Sequence, residues 1–439
     1  MKRVLASIAI CAAFSLHSTI AHAGGAIDTV ATKAAASLGP TTQSMLVVSA
    51  PLVTDQPMLK PDDLALRVAW VLAGKINAAS HALPKVASLS VARAAAGRAA
   101  GLVYVSTRLE KGQLRVTADV FPVVANGWDR AREPAPSPRA HAYAEERIDA
   151  EVRTFSPPLS LEQAQIHKAH HDETGVIAAA CGDLDGDGGL EIALISRGNV
   201  AVGQLRGTGD QEKFVVAKKV ALAARSARVP TPLREPLAGA AFGEGRLLVG
   251  TSDREGVELG ADLELRTTFT GIPAATSTGT SKLECARLDP ASGALSGELR
   301  PCASSSSGAV IAAPLPRFDT LAFSDVVDKG GTSRSALAAR DLDGKLFVKY
   351  GTATRTFDDV GAQSVVADLD LDGVPEIVTT RNATTDDAIQ IWSYDGAQTR
   401  DRRKIPAPAG VSALAVCPPE ASGAPALVAV VGPEIWIVR

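Results

Sequence analysis

Between Gly24 and about Arg130 the apolar positions alternate between helical and strand periods. "IDTVATKAAASL" (Ile27–Leu38) is an Ala-rich helix candidate, and "SMLVVSAPL" (Ser44–Leu52) reads as a strand. In "PDDLALRVAWVLAGKINAAS" (Pro61–Ser80), Leu64, Val68, Val71, Leu72 and Ile76 share one helical face, with Asp62 and Asp63 at the positive end of the helix dipole. "SVARAAAGRAA" (Ser90–Ala100) predicts another helix, and "GLVYVSTRLEKGQLRVTADVFPV" (Gly101–Val123) predicts a hairpin turning at "EKGQ". Residues 24–130 therefore read as a small α/β domain.

The pattern then changes. "DRAREPAPSPRAHA" (Asp129–Ala142) has the composition of a linker, and the charged "YAEERIDAEVRTF" (Tyr143–Phe155) suits either a short helix or an edge strand. Residues 131–161 are assigned to this linker. From about Glu162 to Arg439 no long amphipathic helix is visible. Short apolar runs such as "VIAAAC", "LEIALIS", "RLLVGTS", "EIVTT", "ALAVC" and "EIWIV" recur every eight to twelve residues between Gly, Pro and Asp. That spacing predicts a sandwich, a barrel or a propeller.

Composition sets the context. Lys2 and Arg3, the apolar run "VLASIAICAAFSL" and "AHA" at Ala21–Ala23 read as a signal peptide, residues 1–23, cleaved after Ala23. The apolar run is shorter than the ~20 residues a bilayer requires, and no later stretch approaches a transmembrane span. Periplasmic or secreted location is expected. A formal charge of −3 over 439 residues argues against a nucleic-acid partner, which calls for a basic stripe. Four cysteines survive the predicted cleavage, an even count that favours disulfides in an exported chain. Cys285 and Cys302 bracket a Gly/Ser/Pro-rich stretch, so a local bridge between them is expected.

The strongest chemical motif occurs twice: "DLDGDGGLE" from Asp183 to Glu191 and, 185 residues later, "DLDLDGVPE" from Asp368 to Glu376. Carboxylates stand at positions one, three and five (Asp183, Asp185 and Asp187; Asp368, Asp370 and Asp372). Gly188 and Gly373 at position six permit a sharp turn, and Glu191 and Glu376 close each loop at position nine. Four carboxylates around a glycine turn supply much of the six-to-eight-oxygen shell of Ca²⁺. An EF-hand would need its acid at position twelve, where Leu194 and Thr379 stand inside strand-like runs, so that reading fails. The alternative is a pair of solvated acidic turns that hold no metal.

Two resemblances follow. Helix, Ala-rich helix and "GLVYVSTRLEKGQLRVTADVFPVVANGWDR" together resemble the amino-terminal domain of TolB-type periplasmic proteins over about 80 residues. The strand–acidic loop–strand units are similar to FG-GAP and VCBS-type repeats, whose loops join neighbouring strands of β-propeller blades in integrin α-chain heads. The Phe-Gly to Gly-Ala-Pro signature is absent. The second resemblance implies two structural Ca²⁺ sites, one held by Asp183, Asp185, Asp187 and Glu191, the other by Asp368, Asp370, Asp372 and Glu376, with a carbonyl each from Gly189 and Val374. "RDLDGK" (Arg340–Lys345) looks like a degenerate third copy, expected to hold no metal. A quarter of the 185-residue spacing is about 46, near the 40 to 45 residues of a propeller repeat. The loops then fall in the first and fifth of about six blades, seven being possible. Cys181 and Cys417 would lie in the first and last blades, where a bridge would lock the ring provided their Cα atoms come within about 7 Å.

Catalytic constellations are missing: no Gly-x-Ser-x-Gly, His-Glu-x-x-His, Walker loop or GxGxxG after a strand occurs. His167, His170 and His171 in "HKAHHDE" read as a polar entry segment to the propeller rather than a helical metal pair. Trp392 and Trp436 read as core. The expected molecule is α+β overall: the small α/β domain, then an all-β propeller over 162–439. Its expected role is a monomeric, non-catalytic exported scaffold that engages an envelope protein or glycan. A hydrolase or lyase with its site at the central channel is the rival.

Overall fold

The computed structural model describes residues 25–439 except 98, 124–127, 129–131, 133–135, 188, 208–211, 224–236, 244, 277–282, 290–293, 303–310, 382, 384 and 420–423. The signal-peptide reading, Gly188 and most of the serine-rich "CASSSSGA" lie outside the described residues.

The amino-terminal module is a mixed sheet. Met45–Ser49 pairs in parallel with His81–Ala82 on one side and Gly101–Glu110 on the other, and Gly101–Glu110 continues antiparallel into Gln113–Pro122. The hairpin turns at Lys111 and Gly112, both with positive φ (52° and 69°), as a tight two-residue connection requires. Every residue of Met45–Ser49 is buried, because both faces of the sheet are covered. Helices Ala26–Leu38 and Pro61–Ile76 pack on the face carrying Val47, Val103 and Val116, and helix Leu89–Ala96 packs on the face carrying Leu46, Val48 and Phe121. The helix expected over Pro61–Ser80 ends at Ile76, and the one expected over Ser90–Ala100 ends at Ala96, one residue before Gly97, whose φ is positive.

Within residues 131–161, the charged run read as a short helix or an edge strand supplies both. Ala140–Arg147 adds an eight-residue antiparallel strand to the sheet, from Val120↔Ala140 to Gln113↔Arg147. A one-turn helix, Ala150–Arg153, follows. The Asp149 carboxylate accepts from the Val152 N–H at 3.1 Å and from the Ala26 N–H at 2.6 Å, so one side chain caps both this turn and the first helix of the module. Ile148 and Val152 join the module's core. The strand forms because Gln113–Pro122 offers it a partner edge.

The remainder is a six-bladed β-propeller. Among the described residues, four-stranded antiparallel blades begin at Val176, Ala238, Ile272, Thr320, Ser364 and Val411; a parallel pairing of Lys213 with His170 merges the first and sixth into one eight-stranded sheet, and Ala275–Thr276 adds a parallel strand to the fourth. The sixth blade contributes three consecutive strands, Val411–Cys417, Ala426–Val431 and Glu434–Val438. Its fourth is Ile166–His170, which arrives before the first blade and pairs antiparallel from Val438↔Ile166 to Glu434↔His170. The ring is thus zipped shut by the two ends of the domain. Cys181 and Cys417, on the innermost strands of the first and sixth blades, form a disulfide with Cα atoms 4.8 Å apart, and Cys285–Cys302 forms the local bridge. Apolar clusters fill each gap between adjacent blades, which is why strands such as Glu191–Ser196 and Ala426–Val431 are buried at every position rather than alternately. Among the described residues no helix is long and apolar enough to cross a membrane.

Candidate metal centres

Both acidic loops connect the first and second strands of their blades, the first and the fifth. Their registers match: Gly182 pairs with Glu191 and Ala367 with Glu376, so in each case the closing glutamate opens the second strand. Each glutamate turns its carboxylate back over the loop and accepts the position-two N–H, from Leu184 and from Leu369, at 2.8 Å. Its other oxygen accepts from the third strand: Gln204 Nε2 donates to Glu191 Oε1 and Ser393 Oγ to Glu376 Oε1, each at 2.7 Å. Sequence reasoning missed both partners, since they differ in type and lie 13 and 17 residues downstream. Strand pairing alone brings them in.

Asp183, Asp185 and Glu191 present oxygens that all lie within 4.8 Å of one another, as do Asp368, Asp370 and Glu376. Oxygens at about 2.3 to 2.6 Å from one Ca²⁺ are at most roughly 5 Å apart, so each trio suits a single centre. The position-five carboxylates stand outside these trios. Asp187 accepts from the Gly189 N–H at 2.6 Å and Asp372 from the Val374 N–H at 2.9 Å, which shapes the second half of each loop. Gly373 takes the turn with φ 84°, and a Cβ there would press on the Asp328–Lys329 backbone at 3.0 to 3.1 Å.

The two centres differ in burial. The first is open on one side, with Asp185 exposed. In the second, Asp368, Asp370 and Glu376 are 8%, 4% and 0% exposed. Burial, then repulsion from Asp372 and Asp370, pushes Asp368 well above the usual carboxylate range; burial, then Asp370 and Asp368, does the same to Glu376. Asp370 is raised too, by burial and Asp372, although Arg402 opposes the shift. In the first loop, burial and the neighbouring aspartates raise Glu191.

One cation of the protein itself reaches the second centre. Arg402, on strand Thr399–Ala409, donates to Asp370 Oδ2 at 2.9 Å and to Ser393 Oγ at 2.8 Å, and lies 3.5 Å from Glu376. Its Nε donates to Glu162 at 2.6 Å and holds that carboxyl down to about 2. Burial works against the Arg402 charge, yet Glu162, Asp370 and Glu376 keep it firmly protonated. Among the described residues Arg402 alone bonds these carboxylates, with Arg153 adding a Coulombic attraction to Asp370, so three buried carboxylates remain short of positive charge. Asp370 Oδ1 is buried with no hydrogen-bond partner. An orphaned carboxylate oxygen in a converging oxygen set is what a hard divalent cation would satisfy.

Other sequence-derived candidates fall elsewhere. "RDLDGK" joins the second and third strands of the fourth blade, at the opposite turn from the acidic loops, so it is not a third copy: Asp341 accepts the Asp343 and Lys345 N–H groups, and Arg340 pairs with buried Asp319. His167 and His170 lie on the closing strand Ile166–His170, not on a helix; His171 is buried and bonds the Gly432 carbonyl, and burial lowers its basicity. Trp436 is core at 2% exposure, and Trp392 is half-buried with its ring centroid 5.7 Å from that of Phe357. Between the innermost strands lies a cavity of about 40 Å³ whose lining mixes small and apolar residues such as Ala178, Ile272 and Leu414 with the polar Asp319, Gln363 and Ser364.

No family model matches the chain, and no curated protein matches it. Among solved structures, TolB from Acinetobacter baumannii aligns over 91% of this chain and 94% of its own at 11% identity and TM-score 0.31. BamB from Moraxella catarrhalis aligns over 76% and 82% at 12% identity and TM-score 0.29. BBS1N, in a complex with ARL6DN, aligns over 76% and 91% at 10% identity and TM-score 0.35. The strand pairings establish the propeller without help from these distant likenesses.

Proposed function

We propose that the chain is an exported, non-catalytic binding scaffold whose β-propeller is stapled by two structural Ca²⁺ ions and engages an envelope protein or a glycan. Asp183, Asp185, Asp187 and Glu191 with the Gly189 carbonyl form one ligand set; Asp368, Asp370, Asp372 and Glu376 with the Val374 carbonyl form the other. The amino-terminal unit, proposed to run from Gly25 to Phe155, is a TolB-type module. The cation supplies positive charge and directional ligation that hold mutually repelling carboxylates in one loop.

Support comes above all from Asp370, whose buried Oδ1 lacks a hydrogen-bond partner in a trio of buried carboxylates that Arg402 bonds from one side. The scaffold reading is favoured over a channel enzyme by the small size of the cavity between the innermost strands and by the pairing with Arg340 of Asp319, the carboxylate among its described lining residues. Isothermal titration of the full chain with Ca²⁺ is expected to show two sites in the parent and one in Glu376→Gln. A parent that binds no divalent ion refutes the staple. Affinity capture from envelope extract, with and without chelator, followed by purified-partner titration, tests the scaffold role; turnover of glycosidic or ester substrates that Asp319→Asn abolishes would install the channel enzyme instead.

A further inference from the structure

The acidic loops share one face of the propeller with the loop of the fourth blade between Thr320–Val327 and Ser333–Arg340, and the amino-terminal module sits against that face through Arg147–Arg153. Arg147 is attracted by Asp183 and Arg153 by Asp370, while both guanidiniums are otherwise disfavoured by burial. Glu151 packs so closely on Gly331 of the fourth-blade loop that a Cβ there would meet its carboxylate at 3.0 Å. Most telling is Leu371. It belongs to the propeller loop, yet it is 7% exposed and part of the module's apolar cluster with Ile148 and Val152.

Leu371 occupies position four of its loop with φ 53°, a left-handed conformation that crowds the Cβ of a leucine against its own backbone. Position four of the other loop is Gly186, with φ 79°, where no such crowding arises. Two loops of the same register therefore differ at the strained position, and only the second sends a side chain into the module. Asp368 accepts the Asp372 and Gly373 N–H groups that follow the strained residue, each at 2.9 Å, and Asp370 carries the orphaned oxygen.

We propose that the second acidic loop is a cation-set clasp: closure of Asp368, Asp370 and Glu376 on a divalent cation fixes the turn at Leu371, and Leu371 then holds the amino-terminal module on the propeller. Docking of the module is thereby cation-dependent, an inference that rests on the cation reading above. With the loop open, the carboxylates repel, the turn relaxes and the apolar plug withdraws. The first loop, with glycine at position four, lacks this function.

The experiment compares the full chain with Leu371→Gly, which keeps every carboxylate and relieves the strained backbone. Calcium binding is read by isothermal titration and docking by hydrogen exchange of Ala150–Arg153 with small-angle scattering, in Ca²⁺ or chelator. In the parent, Ca²⁺ is expected to slow exchange of this segment by about tenfold or more and to reduce the radius of gyration. Leu371→Gly is expected to keep both Ca²⁺ sites in number but to lose the linked protection; Glu376→Gln is expected to lose one site and the protection together. Parental binding without altered protection, or calcium-linked protection retained in Leu371→Gly, overturns the clasp and leaves the cation reading standing. Chelator-enhanced docking, with the arginines gripping bare carboxylates, also overturns it. No calcium heat in the parent removes both.

Discussion

Removing the ring-locking disulfide by Cys181→Ala with Cys417→Ala isolates what covalent closure contributes to the propeller. The bridge spans 236 residues, against 17 for Cys285–Cys302. Chain entropy scales with the logarithm of the closed loop, so the long bridge constrains the unfolded chain by about 5 kcal/mol and the short one by about 3 kcal/mol. Native-state losses are small for the long bridge, because both cysteines already border a groove of about 330 Å³ and alanine leaves little new void. The double alanine variant should therefore lose about 2 kcal/mol more than Cys285→Ala with Cys302→Ala. Urea unfolding followed by fluorescence of Trp436, buried in the sixth blade, reads the difference. Equal losses for the two pairs, or a larger loss for the short bridge, would show that the strand Ile166–His170 already sets the closure and that the entropic reasoning is wrong.

Three further outcomes follow from the same contacts. In chelator, Asp368, Asp370 and Glu376 bind protons more tightly folded than unfolded, so their contribution to stability is full in acid and declines as pH rises out of the ordinary carboxylate range; excess Ca²⁺ should abolish the decline, and a calcium–chelator gap that stays constant with pH in thermal melts contradicts the assignment. Arg402→Met strands buried Asp370 and Glu376, so it should cost about 3–5 kcal/mol in chelator and distinctly less in Ca²⁺, measured by denaturant midpoints; an equal cost in both conditions argues that the arginine and the cation do not share a charge deficit. Asp149→Ala removes two helix caps and should destabilise the amino-terminal module by roughly 2 kcal/mol, with exchange at Ala26–Leu38 rising; unchanged exchange there would discount the shared cap.

Local pattern was sufficient for several features. Strand–loop–strand registers around both acidic loops, the two-residue turn at Lys111–Gly112 and the division of 185 residues into four blade lengths are short-range properties, carried by apolar periodicity and glycine placement. The pairing of Cys181 with Cys417 followed once ring closure made the first and last blades neighbours. "RDLDGK" went astray because an Asp-Gly turn suits either end of a blade, and only the strand order says which end it occupies.

From the sequence alone come the elements and the spacing of the carboxylates, because backbone conformation and alternation are set within a few residues. Tertiary structure alone decides that Ala140–Arg147 pairs with Gln113–Pro122, that Ile166–His170 completes the sixth blade, and that Ser393, Gln204 and Arg402 reach the closing glutamates. It also decides that Leu371 leaves its own blade for another module. Each of these depends on a partner distant in the chain, and a strand edge or a buried charge acquires its meaning only from what folding brings against it.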